Sequence, residues 1–188
     1  MQDLTTQAKL IYNKQQITAA IDKMANKITT DMNGKKPILL CVVNGGIFIT
    51  GQLLERITIP LELDYIHATR YNNDVYGKEI RWRATPATEI KDRNIVVIDD
   101  VLDQGITLKE IEKWCLQQGA SSVYNVVLFD KTECRSPNGV QQADCCGLVA
   151  PNEYLFGCGL DVKGYYRNTS ELYSIPTSML QELDKFIP

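Results

Sequence analysis

Apolar residues recur at helical spacing over residues 15–32, where Ile17, Ile21, Met24 and Ile28 fall three or four apart. The pattern predicts an amphipathic helix, stopped by Asn33-Gly34. After Pro37, the run Ile38-Leu39-Leu40-Cys41-Val42-Val43 is short, unbroken and bounded by Gly45-Gly46, as expected of a strand buried on both faces. A helix over 47–56 follows, then a strand over 61–69. Residues 70–78 (RYNNDVYGK) are polar and carry Asn and Gly, which predicts a movable loop, and 79–83 alternates as a return strand. A strand over 94–100, a helix over about 107–118 stopped by Gly119, and a strand over 123–129 complete an alternation of strand and helix. That alternation predicts an α/β fold, a mostly parallel twisted sheet flanked by helices on both faces. Beyond Asp130 the pattern changes to short strands near 147–149 and 154–158 and a small helix over 178–186.

The strongest chemical signal is Ile95-Val96-Val97-Ile98-Asp99-Asp100-Val101-Leu102-Asp103-Gln104-Gly105-Ile106-Thr107-Leu108. A buried strand emerges into two adjacent carboxylates, and a turn bearing Gly and Thr then opens a helix. Loop amides and the helix dipole make such a turn an anion site, and phosphate fits it. Carboxylates repel phosphate, however, unless they engage another part of the same ligand. A phosphate beside a vicinal diol, with a divalent cation, meets all three demands, and a ribose 5-phosphate derivative is such a molecule. The plainer alternative is an Asp-rich turn in which Asp103 only caps the following helix.

Those residues resemble the phosphoribosyl pyrophosphate signature of the type I phosphoribosyltransferases. Leu128-Phe129-Asp130-Lys131, Tyr154-Leu155-Phe156-Gly157-Cys158-Gly159-Leu160-Asp161 and Tyr165-Tyr166-Arg167-Asn168 narrow the resemblance to the hypoxanthine-guanine branch, over about residues 37–167. The resemblance implies transfer of the phosphoribosyl group to hypoxanthine or guanine with Mg2+ as cofactor. It implies that Asp99 and Asp100 hold the ribose hydroxyls, that Gln104, Gly105, Ile106 and Thr107 wrap the 5-phosphate, and that Asp103 sits by purine N7 as the catalytic group. Lys131 would donate to the 6-oxo group, Tyr154 would stack on the ring and the Leu155 backbone would read the base edge. Asp161, with Asp99 and Asp100, would hold the metal. Val43-Asn44-Gly45-Gly46 resembles the pyrophosphate loop, whose first peptide is often cis in this family. Arg135 and Arg167 would face the pyrophosphate, and Arg70-Tyr71 would belong to the closing loop. The chain departs from the family pattern at Gln104, where Thr is frequent, at Asn44, where some members carry Lys, and at Arg70, where Ser commonly precedes the loop Tyr. One domain over 1–188 is expected, with a core over about 15–130 and a small C-terminal hood over 131–188.

Composition narrows the partners. At 188 residues with 44% apolar content the chain suits one well-cored domain. The apolar runs 38–43 and 95–98 fall far short of the roughly 20 residues that cross a bilayer, so no membrane partner is expected. A net charge of −3 argues against coating nucleic acid. Six cysteines include no C-x-x-C pair, and the single His67 has no metal-ligand spacing to them, so buried reduced thiols in a cytoplasmic protein are expected. A homo-oligomer, dimer or tetramer, is also expected. Two other readings stay open: a xanthine-preferring transferase, and a regulator of this fold that binds nucleic acid.

Overall fold

Side chains alternate between the two faces of the central strands, which divides them between two helical layers. The computed structural model describes residues 4–70, 80–176, 178–180 and 183, with residue 70 as backbone alone. Strands β1 (Lys9–Tyr12), β2 (Ile38–Val42), β3 (Glu62–Arg70), β4 (Ile80–Ala84), β5 (Asn94–Leu102), β6 (Ser122–Asp130), β7 (Cys145–Val149), β8 (Tyr154–Phe156) and β9 (Leu172–Ile175) are interleaved with helices α1 (Lys14–Asp31), α2 (Ile47–Leu54) and α3 (Ile106–Gln117). The main sheet has the order β4-β3-β2-β5-β6-β7, parallel except for β4, which returns antiparallel along β3. Leu39, Val96, Ile98 and Val126 pack beneath Ile17, Ile21, Met24 and Ile28 of α1 and Ile49 and Leu53 of α2. Ile38, Leu40, Ile95, Val97 and Val127 pack on the other face against Leu108, Ile111 and Cys115 of α3. This is the predicted α/β sheet with helices on both faces.

Local chemistry explains the boundaries. Asn13 caps α1 through a reciprocal pair, its Oδ1 accepting from the Gln16 amide at 2.9 Å and its own amide donating to Gln16 Oε1 at 3.0 Å. Gly34 follows the helix at φ +76°. β5 runs on to Leu102, past the end expected at the acidic pair, because Val101 and Leu102 continue the ladder opposite Phe129 and Asp130. Asp99 and Asp100 therefore sit on a strand, and Asp103 opens the turn.

A second, three-stranded sheet has the order β1-β9-β8. Its core holds Leu4, Phe156, Val162 and Ile175, with Phe156 stacked on Tyr173 at 5.2 Å between centroids. It draws one strand from the N-terminal end, whereas the sequence points only to a C-terminal segment. β1 and β9 escape the sequence pattern because both are four residues long and neither alternates: β1 has no buried residue, and three of four in β9 are buried. The expected strand over 154–158 ends at Phe156, since Gly157 leaves the ladder at φ +96°. In the region expected to form the small C-terminal helix, residues 178–180 form a 3-10 turn and most of the rest lies outside the described residues. Trp82 and Trp114 meet at 5.8 Å and pack against the α3-side core. All six cysteines are free. Four are buried, as expected of the thiols, whereas Cys134 is half-buried and Cys146 exposed.

Candidate active site

The C-terminal ends of β2, β5 and β6 open on one side of the sheet, where parallel α/β folds place ligands. A cavity of about 300 Å³ there is lined by Val43, Gly45, Asp99, Asp100, Asp103 and Thr107 among others. The turn from β5 into α3 hinges on Gly105, the N-cap residue at φ +76°, with no side-chain cap. A Cβ on Gly105 would lie 2.3 Å from the Val140 carbonyl oxygen, so the position admits no side chain. Asp103 is therefore not the cap of α3, and the plainer reading of the acidic turn falls. Gln104, Ile106 and Thr107 flank Gly105, and the first turn of α3 offers backbone N–H groups and the positive end of its dipole to an anion.

The second wall is the loop after β2. The Val43-Asn44 peptide is cis. The Gly46 amide donates to the Val42 carbonyl at 2.8 Å, and the Ile47 amide to the Asn44 carbonyl at 3.2 Å. A Cβ on Gly45 would lie 2.0 Å from Asp100 Oδ2, and one on Gly159 would lie 2.1 Å from the Gly45 carbonyl oxygen. The loop is thus pinched between the acidic strand and the segment that follows β8.

That segment carries the third group. Arg167 Nη2 pairs with Asp161 Oδ1 at 2.6 Å, Arg167 Nη1 donates to the Gly159 carbonyl at 2.6 Å, and the Gly164 amide donates to Asp161 Oδ2 at 2.6 Å. The Tyr154 hydroxyl reaches the Asp161 carbonyl at 3.5 Å, and the residue is 41% exposed, open to a planar ligand. Leu155 is buried, opposite Ser174 in the β8-β9 ladder. Lys131 follows β6, its amide donating to the Leu102 carbonyl at 3.0 Å. Arg70 ends β3 opposite Ile80, and Tyr71, with the rest of the expected closing loop, lies outside the described residues.

Arg135 departs from expectation. Its Nε donates to the Gln141 carbonyl at 3.0 Å, its Nη1 to the carbonyls of Leu102, Asp103 and Lys131, and its Nη2 pairs with the Asp130 carboxylate. Every nitrogen of the guanidinium is engaged inside the protein, so Arg135 frames the site and does not face a pyrophosphate. Sequence reasoning missed this because a charged residue in a short polar segment gives no sign of burial. It also missed Cys134, whose thiol pKa is pushed up by burial and by a hydrogen bond to the Asp103 carboxylate.

Residues 7–146 match the phosphoribosyl transferase domain family. The chain belongs to that family. Among its relatives, this phosphoribosyltransferase is 30% identical over 161 residues to the hypoxanthine-guanine phosphoribosyltransferase of Streptococcus thermophilus, covering 85% of this chain and 88% of the relative. It is 28% identical over 160 residues to the hypoxanthine-guanine-xanthine phosphoribosyltransferase of Tritrichomonas foetus, with coverage of 85% and 87%. A crystal structure of a hypoxanthine phosphoribosyltransferase from Staphylococcus aureus shares the fold, with a TM-score of 0.84 at 23% identity over 91% of this chain and 92% of that one.

Electrostatics suit a cationic guest in this phosphoribosyltransferase. Burial raises the Asp100 pKa above its ordinary 3.8, and the nearby Asp161 carboxylate adds to the rise, against a hydrogen bond with Asp99, the Val101 amide and the charge of Arg167. Carboxylate oxygens crowded in this way fit a hard divalent cation. Among the described residues no group of three or more His, Cys, Asp or Glu is placed to hold a metal ion by itself. An Mg2+ that arrives with substrate phosphate oxygens needs none, since it is commonly bound through one or two carboxylates.

The raised pKa has a definite sign for stability. The contribution of Asp100 is fully present below its unfolded value near 3.8 and is lost as pH rises through the higher folded value. Asp100→Asn should therefore raise Tm near neutral pH, by about 2–4 °C for each kcal/mol of desolvation removed, and change it little below about pH 3. The same variant should bind phosphoribosyl pyrophosphate more weakly. Calorimetric melting at the two pH values and a titration with that ligand check both; a neutral-pH Tm below wild type would contradict the account.

Proposed function

We propose that this phosphoribosyltransferase transfers the 5-phosphoribosyl group of phosphoribosyl pyrophosphate to hypoxanthine or guanine, yielding IMP or GMP and pyrophosphate. The observation that carries the reading is the cavity in which Asp99 and Asp100, the αL Gly105 and the start of α3 come together. The acids suit ribose hydroxyls, and the helix start suits the 5-phosphate. The curated relatives named for hypoxanthine and guanine support the choice of bases.

In this reading purine N9 attacks the anomeric carbon as the bond to the pyrophosphate oxygen breaks, and the ring proton passes to Asp103 near N7. Lys131 donates to the 6-oxo group, and Tyr154 and the Leu155 backbone hold the ring. The loop 43–46 and Arg167 receive the leaving pyrophosphate. Asp99, Asp100 and Asp161 are the residues that would hold Mg2+, whose charge offsets that of the leaving group when bound. Asp161 binds Arg167 through one oxygen and the Gly164 amide through the other, which links the pyrophosphate side to the metal side.

Xanthine is a second base to consider, because the Tritrichomonas foetus relative is named for all three. Free thiols support a cytoplasmic location. The exposed Ile47, Leu63 and Tyr65, 50–54% accessible and lining one apolar groove, support a homo-oligomer. Light scattering that returned the monomer mass at micromolar concentration would remove that part of the reading.

A spectrophotometric assay of hypoxanthine, guanine, xanthine and adenine with phosphoribosyl pyrophosphate and Mg2+ tests the activity. Turnover of the first two bases, its loss in EDTA and no turnover of adenine are expected; a protein inert to every 6-oxopurine would refute the assignment. Lys131→Met should reduce use of hypoxanthine and guanine about ten- to a hundredfold, the loss of one charge-assisted hydrogen bond. Asp103→Asn should lower kcat by about 10² while leaving Tm unchanged, and an Asn variant with most of its kcat would strike Asp103 from the mechanism.

A further inference from the structure

One side chain ties the segment after β6 to the turn after β5. Arg135, its side chain 11% exposed, donates from Nη1 to the carbonyls of Leu102 at 2.8 Å, Asp103 at 2.5 Å and Lys131 at 3.0 Å. Its Nε reaches the Gln141 carbonyl, and its Nη2 pairs with Asp130, which is equally buried. Backbone bonds run alongside, from the Ser136 amide to the Gln104 carbonyl at 3.1 Å and from the Val140 amide to the Gly105 carbonyl at 3.0 Å. The backbone is packed to contact here, since a Cβ on Gly139 would lie 2.1 Å from the Gln104 carbonyl oxygen.

Two of the carbonyls that Arg135 holds belong to Asp103 and Lys131, the residues assigned to the ring proton and the 6-oxo group. Their side chains can act on one purine only if their backbones hold a fixed spacing, and a planar guanidinium with donors in a rigid fork sets such a spacing where a lysine would not. Asp130 neutralises the buried charge and orients the fork.

We propose that Arg135, held by Asp130, is a positioning residue: it locks Asp103 and Lys131 in register for the purine and touches neither substrate. The inference rests on the proposed function for its kinetic consequence, while the clasp itself can be read without turnover.

Two variants test it. Arg135→Lys keeps the charge and loses the fork. Breaking a buried ion pair can unfold a protein, so Arg135→Met combined with Asp130→Leu removes both charges together, an exchange that often preserves stability. In each folded variant kcat/KM for hypoxanthine should fall about a hundredfold, as expected for misplaced catalytic groups. The KM for phosphoribosyl pyrophosphate and inhibition by pyrophosphate should stay within about threefold, since a positioning residue for the purine makes no contact with either. Hydrogen exchange at the Lys131, Ser136 and Val140 amides should speed up about tenfold or more while the β5-β6 core stays protected. Pyrophosphate inhibition weakened in step with activity would return Arg135 to the leaving group and overturn the proposal. So would unchanged exchange at those three amides. A wild-type protein that transfers to no base, yet shows the faster exchange in the variants, would refute the proposed function and leave the clasp standing.

Discussion

The site depends on a close approach at Gly45 of the loop after β2, the Asp100 carboxylate and the segment after β8. The loop after β2 passes so near the acidic strand that a Cβ on Gly45 would fall 2.0 Å from Asp100 Oδ2, and a Cβ on Gly159, in the segment after β8, would fall 2.1 Å from the Gly45 carbonyl oxygen. The Gly159 contact is with backbone, so that glycine is a structural requirement, whereas a side chain at Gly45 would have to push the Asp100 carboxylate aside. Gly46 is also enclosed, with a Cβ there 2.5 Å from the Ile98 carbonyl oxygen. Because these strands belong to a sheet buried on both faces, the approach is held by the core and not by the loops alone. What converges is a set of groups suited to the successive parts of a phosphorylated sugar: amides for phosphate, carboxylates for hydroxyls and metal, a cation for the leaving group.

The same convergence burdens the fold. Asp100 is desolvated and lies within the field of Asp161, which a hydrogen bond with Asp99, the Val101 amide and the charge of Arg167 offset only in part. Functional sites commonly accept such perturbed groups because the ligand supplies the missing counter-charge. Under the proposed function, the Asp161-Arg167 pair, about one-third exposed on both sides, would exchange its partners for a metal and a phosphate. Arg135-Asp130, buried on both sides, serves the frame instead.

The main sheet and its helices were legible in the sequence because Ile38 to Val42 is an unbroken apolar run between turn residues, and Ile17 to Ile28 keeps the helical period. The acidic strand end, Gly105 and Thr107 were legible as chemistry because few ligands reconcile adjacent carboxylates with a phosphate cradle. Other features had no local signal. Gly45-Gly46 reads as an ordinary turn until the distance to Asp100 is known, and Gly159 is one of several glycines near Asp161. β1 and β9 pair across almost the whole chain, a non-local contact that four-residue segments cannot announce. Arg135 looks like a surface cation, and its burial follows only from the carbonyls that three separate segments aim at it.

Under the proposed function, the close approach of Gly45 to the Asp100 carboxylate assembles the site for phosphoribosyl pyrophosphate. Calorimetric titration of Gly45→Ala with that ligand and Mg2+, together with its melting curve, tests this most directly. One added methyl must displace the Asp100 carboxylate, so the account predicts a folded protein whose affinity for the ligand falls by about a hundredfold or more, consistent with loss of paired charged contacts. A Gly45→Ala protein that binds phosphoribosyl pyrophosphate as wild type does would contradict it.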